Sequence, residues 1–445
     1  MIDPREIGPQ ADHDVVLPVI GKLRFAALSV PGFRWYWVAS WISGTGDGME
    51  NVIRNLLIIS LIGAERAPFW LGMMVFAHWV PFTVFSLYGG TLADRYDNRK
   101  VQIVSQLILM GAAAGTAVAT LTGFVTLWWL FGMLLLHGFA GAIGNPAQQT
   151  LIHALVGRDK LLSAVSLNSM ARQFSQVIGP AIAGVIYLAF GAGWGFVVNA
   201  LTFIPLLIVL SLVRVPRLHE WSPQPILRSL REGVDFLRRR PQLAALISVE
   251  ALPVVFLGHT FTSLVPVFAV AVLGAGELGY AFLLVASGLG AIAAVVYLGL
   301  GREPRRAAAF IVGAAFVEMA AIMVFSFSRS YVLSLGLMFV IGAAAVITQA
   351  LTNTTLQLSA PDRLRGRVMG TYSFATQGLR VINGPLLGGA ATVLGAPAAV
   401  ASAAAIVLAG LGGIVARVPE LRPSIGAAAS LSGSGDVGED VRGGS

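Results

Sequence analysis

Cysteine is absent from all 445 residues, which excludes disulfides, thiolate metal sites and thiol nucleophiles. Charge is scarce as well. Asp, Glu, Lys and Arg make up 12% of the chain, where soluble domains carry about 25%. Histidine occurs six times, at no spacing that resembles a metal site, so neither a metal nor another cofactor is expected. Strand-like alternation is missing: 111–121 is an unbroken run of small and apolar residues, which argues against a membrane β-barrel. Nucleotide-binding loops are missing too. The one Gly-Lys pair, Gly21-Lys22, lacks a phosphate-loop context, and Gly274–Gly279 matches G-x-G-x-x-G with no strand before it and no ribose-binding acid after it. The parts of an enzyme are lacking.

What the chain has instead is apolar bulk: 56% hydrophobic residues, with 51 glycines besides. A water-soluble fold of this length leaves too much surface to cover with so few charges. A lipid solvent removes that difficulty. Segments of about 20 mostly apolar residues can cross a bilayer as helices. They lie at 35–62, 69–93, 100–122, 126–150, 163–190 and 194–213, then at 243–273, 279–300, 306–328, 331–357, 366–393 and 397–416. The expected fold is an all-α membrane protein of 12 transmembrane helices.

Basic residues orient these spans, since Lys and Arg collect on the cytoplasmic side. With both termini and every second connection placed there, 25 of the 30 basic residues fall on that side and only Arg66 and Arg329 opposite. The net charge of +8 is thereby explained without nucleic acid. The apolar run 15–20 is too short for a signal peptide, so 1–34 is expected to stay as a cytoplasmic segment. Residues 417–445, rich in Gly, Ala and Ser, are expected to form a disordered cytoplasmic tail.

The chain is also duplicated. The polar, basic stretch 214–242 divides a bundle at 35–213 from another at 243–416. Gly179-Pro180-Ala181-Ile182-Ala183-Gly184 in span 5 returns about 205 positions later as Gly384-Pro385-Leu386-Leu387-Gly388-Gly389 in span 11. Two six-helix bundles related by a pseudo-twofold axis are the expected architecture. Spans 3, 6 and 12 hold no ionisable side chain and span 9 only Glu318, so every third helix reads as a lipid-facing buttress.

Between spans 2 and 3 stands Gly89-Gly90-Thr91-Leu92-Ala93-Asp94-Arg95-Tyr96-Asp97-Asn98-Arg99-Lys100. It resembles the G-x-L-A-D-R-x-G-R-K signature of the major facilitator superfamily. With the two Gly-Pro boxes, the chain is most similar to the bacterial drug and siderophore exporters, of the enterobactin-exporter and macrolide-efflux types. The resemblance implies alternating access, a small-molecule substrate, a monomer in the bacterial inner membrane, and a cytoplasmic latch of Gly90, Asp94, Arg95, Arg99 and Lys100, with its aspartate meeting the start of span 11. It ties the box of Gly179, Pro180 and Gly184, with its counterpart at Gly384, Pro385, Gly388 and Gly389, to antiporters, although Ala183 replaces one glycine. Where many proton-coupled relatives place arginine before Gln-Gly in span 4, this chain has Leu134 before His137-Gly138.

Several polar residues lie inside the spans. Asp47, Glu50, Asn51, Arg54 and Asn55 recur at helical spacing and share one face of span 1. Each charge facing lipid would cost about 2.5–3.5 kcal/mol, so the stripe is expected to face a cavity or polar partners. Asp47 or Glu50 is a candidate proton carrier; alternatively Glu50 and Arg54 form a structural i,i+4 pair. Arg172 with Gln176 in span 5, and Arg380 in span 11, are expected to meet acids among Asp47, Glu50, Glu250 and Glu318, with anion binding as the alternative. His78, His137, Glu250 and Glu318 are further coupling candidates. The function expected is proton-coupled export of amphipathic small molecules. An uptake or lipid transporter of the same fold, or a non-transporting receptor or accessory protein, is the rival.

Overall fold

In the computed structural model, residues 25–213, 234–299, 307–360 and 362–418 are described. Most of the N-terminal segment, the linker residues 214–233 and the tail from 419 lie outside them. All regular structure among the described residues is helical. Among the described residues, nine stretches are long and apolar enough to cross a bilayer. One of these, Ser163–Leu212, is spans 5 and 6 running on through Gly191, whose φ of 80° and ψ of 174° break the helix. Span 1, Pro31–Ile62, carries the charged stripe, and span 11, 362–394, is interrupted by a π-turn at Phe374–Gly378. Counting these, twelve spans cross among the described residues, as the sequence leads one to expect.

Local chemistry sets the helix ends. Thr126 caps span 4 by accepting from Trp129 N at 3.1 Å, and Asp97 caps span 3 by accepting from Arg99 N at 3.0 Å. Gly395, with φ of 81°, joins spans 11 and 12 just as Gly191 joins 5 and 6. The two glycines stand one repeat apart, and a left-handed turn at each favours a residue without Cβ.

The halves pack alike. Spans 2 and 4 meet where a Cβ on Gly138 would strike the His78 carbonyl, and spans 8 and 10 meet where one on Gly342 would strike the Ser287 carbonyl. Small residues let membrane helices approach closely, which is how they associate where lipid supplies no hydrophobic drive. Across the two halves, span 2 lies against span 11 and span 5 against span 8.

Span 7 breaks at Leu257, and Gly258 takes φ of 40°. Backbone groups freed within a bilayer need internal partners. Asn383 of span 11 provides one: its Nδ2 donates to Val254 O at 2.9 Å, and its Oδ1 accepts from the Thr260 side-chain hydroxyl. Asn383→Leu should therefore lower the melting temperature measurably, by the roughly 1–3 kcal/mol that buried unsatisfied groups cost, with Asn383→Ala no milder. A melting curve in detergent identical to wild type would contradict this.

Candidate functional site

The stripe on span 1 turns inward. Arg54 Nη1 donates to Glu50 Oε1 at 3.1 Å, and Nη2 donates to Asn51 Oδ1 at 3.0 Å. Asn199 of span 6 donates to the other Glu50 oxygen. Glu50 is thus held by a cation and an amide, and the i,i+4 pair exists. Asn55 reaches across the halves, donating to the Tyr280 hydroxyl of span 8 at 3.1 Å. Beside the pair lies a cavity of about 10 Å³, lined in part by Thr116, His137 and Phe196, room for about one water. Asn199 refines the buttress picture: span 6 has no ionisable residue, yet its one mid-span amide binds the charged centre.

Buried polar atoms without a partner concentrate beside this stripe. Of nine such side-chain atoms among the described residues, eight belong to spans 1 and 3. They include Tyr36 OH, Ser40 Oγ, Asp47 Oδ1 and Arg54 Nε on span 1, and Gln102 and Gln106 on span 3. The Tyr36 hydroxyl is surrounded by Ser40, Gln102 and Gln148. Native interiors leave few such groups unless function or water explains them. Tyr36, Ser40, Asp47 and Arg54 recur every three or four residues or multiples of that, so the polar track follows one side of the helix.

A second group lies on the seam between the halves. His78 and His137 stand 5.0 Å apart, ring to ring, and Trp79 stacks on His259 of span 7 at 5.7 Å. The Arg380 guanidinium sits 4.8 Å from the Trp79 ring centre, a cation–π contact across the halves. Its Nε donates to Thr376 O at 2.9 Å. Glu250 is buried, and both its oxygens accept from the Tyr372 hydroxyl of span 11, at 3.0 and 2.9 Å. Of the three intramembrane arginines, only Arg54 has an acid within 4.0 Å among the described residues. Arg172 and Arg380 thus form no close ion pair among the described residues, although Glu250 lies near enough to Arg380 for the two charges to act on each other. Glu318 of span 9 lies near Glu250. No three His, Cys, Asp or Glu residues gather in a metal-like cluster among the described residues.

Spans 2 and 11, and spans 5 and 8, pack closely at one end, where a cavity of about 330 Å³ also lies between Leu56, Ile59 and Ser60 of span 1 and Val270, Gly276 and Glu277 of the second half. At the end away from the long 213–241 connection, Gly72 of span 2 lies against Gly384 and Gly388 of span 11, and Gly184 of span 5 lies against Ala281 of span 8. Gly179 packs within the first half, on Gly48 and Thr45. Gly389 meets nothing within 4 Å, and Pro180 and Pro385 lie inside their helices. Toward the opposite end, polar side chains stand exposed in mid-helix or near it: Asn145 and Gln149 on span 4, Ser169, Arg172 and Gln176 on span 5, Gln357 on span 10, Ser373 on span 11. Such groups avoid lipid, so they are expected to face water or polar partners.

In the proposed latch, the side chains of residues 86–95, Asp94 and Arg95 among them, and the first turn of span 11, lie outside the described residues. Arg99 is placed: its guanidinium donates to the carbonyls of Leu210 and Ser211 at the end of span 6. A cation on a helix C-terminus is favourable. This contact joins the loop to its own half, while Lys100 lies exposed.

Residues 23–432 match the family described as transmembrane secretion effector. The chain is 27% identical over 377 residues to the enterobactin exporter EntS of Shigella flexneri, covering 84% of this chain and 88% of that one. The Escherichia coli O139:H28 enterobactin exporter is likewise 27% identical over 382 residues, with the same coverage. Among solved structures, a nucleoside transporter, NupG, superposes with a TM-score of 0.67 at 12% identity, covering 86% of this chain and 98% of its own. A bacterial homologue of the human lysosomal transporter Spinster, captured inward-facing and unoccupied, gives 0.60 at 15% identity, covering 88% and 95%. At these identities the solved structures speak for the fold.

Proposed function

Because this chain belongs to the transmembrane secretion effector family of the major facilitator superfamily, and is a multi-pass membrane transporter and not an enzyme, we propose that it exports amphipathic small molecules from a bacterial cell by alternating access, in exchange for protons. The observation that carries this reading is the asymmetry of the seam. Glycines bring spans 2 and 11 together at one end, while polar side chains stand exposed toward the other. That is one side of a rocking cycle. The distribution of basic residues supports a cytoplasmic opening, where an exporter loads. The relatives named as exporters support the direction.

Glu50 is tied to Arg54 and Asn199, which suits an internal ion pair more than a proton carrier. Asp47 is the better candidate on this geometry: its Oδ1 is buried without a hydrogen-bond partner, beside the charges of Glu50 and Arg54. Buried ionisable groups within membranes mark ion and proton paths. Protons would then travel inside the first half and the substrate between the halves, linked by the motion that opens and closes the seam.

Everted vesicles with an imposed pH gradient, acid inside, offer the test. Wild type should accumulate a dye or drug, and Asp47→Asn should lose at least ten-fold of the gradient-driven rate while still equilibrating substrate. Equal gradient-driven transport by Asp47→Asn would remove the proton role. Equilibration of wild type without regard to the gradient would show a facilitator.

A further inference from the structure

We infer that the cavity at the closed end is a second ligand site, one that takes a lipophilic monocation and, while occupied, holds that end shut. Its walls come from both halves. Leu56, Ile59 and Ser60 lie in the last turns of span 1, Val270 in the π-turn at the end of span 7, and Gly276 and Glu277 at the start of span 8. Its volume of about 330 Å³ falls within the roughly 300–1,000 Å³ of small-molecule sites. Leu56 is buried and Ile59 and Val270 are half-buried, so much of the lining is apolar. The Ser60 hydroxyl is already spent on Leu57 O, at 2.8 Å.

Glu277 carries the one charge of the lining. Half-buried in the first turn of span 8, it makes no hydrogen bond or ion pair with any described residue, Arg66 and Arg329 included. The helix dipole favours a carboxylate in that place but supplies only about half a positive charge. Net negative charge therefore faces apolar walls, where it is screened less than in open water. An amphipathic cation answers both features: its apolar body covers the walls and its charge meets the carboxylate. An anion would meet a like charge, and a neutral molecule would desolvate the carboxylate without replacing its water.

Placement decides what an occupant does. Rocking of the halves parts span 1 from spans 7 and 8 at this end, so the pocket is complete only while the end is closed. A ligand that prefers one of two states shifts the balance toward it. A cation bound here therefore opposes the opening that a transport cycle needs, without touching the polar side chains exposed toward the other end. This locking rests on the alternating-access reading above; binding itself does not.

The chain has no cysteine, so Ser60→Cys places a single reporter in the pocket of the full-length protein. In lipid nanodiscs, where both faces are open to reagents, tetraphenylphosphonium should slow its labelling by an impermeant maleimide at least five-fold. Tetraphenylborate, nearly equal in size and opposite in charge, should not. Adding Glu277→Gln should leave the rate without ligand unchanged and raise the phosphonium concentration needed for protection about ten-fold. Glu65→Gln, an acid at the same end outside the lining, should change neither. Saturating phosphonium should also slow labelling of Phe76→Cys, which lies in the same closed end but outside the pocket. Absence of protection by the cation, protection undiminished in Glu277→Gln, or equal protection by tetraphenylborate would each overturn the site. An unchanged rate at Phe76→Cys would overturn the locking.

Discussion

Gly384→Leu should abolish turnover while leaving the protein folded in membranes. A Cβ alone at this position would already run into the backbone carbonyl of Gly72, with Phe76 N at 3.0 Å beside it. Overpacking a tight contact costs about 1–3 kcal/mol, and transporter states differ by only a few kcal/mol. A penalty of 2–3 kcal/mol on the state with this end closed shifts the balance toward the other state about 30–150-fold. Transport needs both states, so its rate should fall to a similar degree. Because the chain has no cysteine, a single cysteine at Phe76, in the same contact, reports access without background. Impermeant thiol reagents should label it many-fold faster in Gly384→Leu. Unchanged labelling together with normal transport would show that this contact is not a gate.

Arg54→Leu should be the most damaging single change to stability. It strips the cation from Glu50, whose side chain is 13% exposed and whose other partner is the amide of Asn199. Removing one member of a buried pair typically costs about 3–5 kcal/mol, because the remaining charge is left uncompensated, while replacing both can be nearly neutral. The double variant Glu50→Gln with Arg54→Leu should therefore melt well above Arg54→Leu alone, which thermal unfolding in detergent would reveal. Additive losses in the double variant would mean that the two side chains act independently. The same cycle separates structure from transport: a double variant that melts like wild type but still moves substrate would confine the pair to a structural role.

Helix count and repeat were legible because each depends on local composition. Twelve apolar stretches, the paired Gly-Pro boxes and the glycines Gly191 and Gly395 one repeat apart can all be read without knowing what touches what. The stripe from Asp47 to Asn55 was legible as well, since helical spacing alone puts those residues on one face. Their partners were not. Asn199 lies 149 residues from Glu50, and Tyr372 lies 122 from Glu250. One signal could have found the first: Asn199 is a lone amide in an apolar run, and such a group has to be satisfied from another helix. Trp79 gave no such signal, because an aromatic residue in a membrane helix is ordinary until Arg380 is found on its face. The break at Gly258 was hidden too, since Pro253 and a glycine occur in many helices that continue.

Composition and periodicity by themselves determined that this chain crosses a membrane twelve times in two like halves, because burial in lipid acts on each segment separately. Only the tertiary structure decided which charges are neutralised. Arg54 found Glu50 within its own helix, whereas among the described residues Arg172 and Arg380 have no acid within 4.0 Å. Pairing depends on how helices far apart in sequence are turned toward each other, and a hydrophobic pattern places a face without naming what it faces.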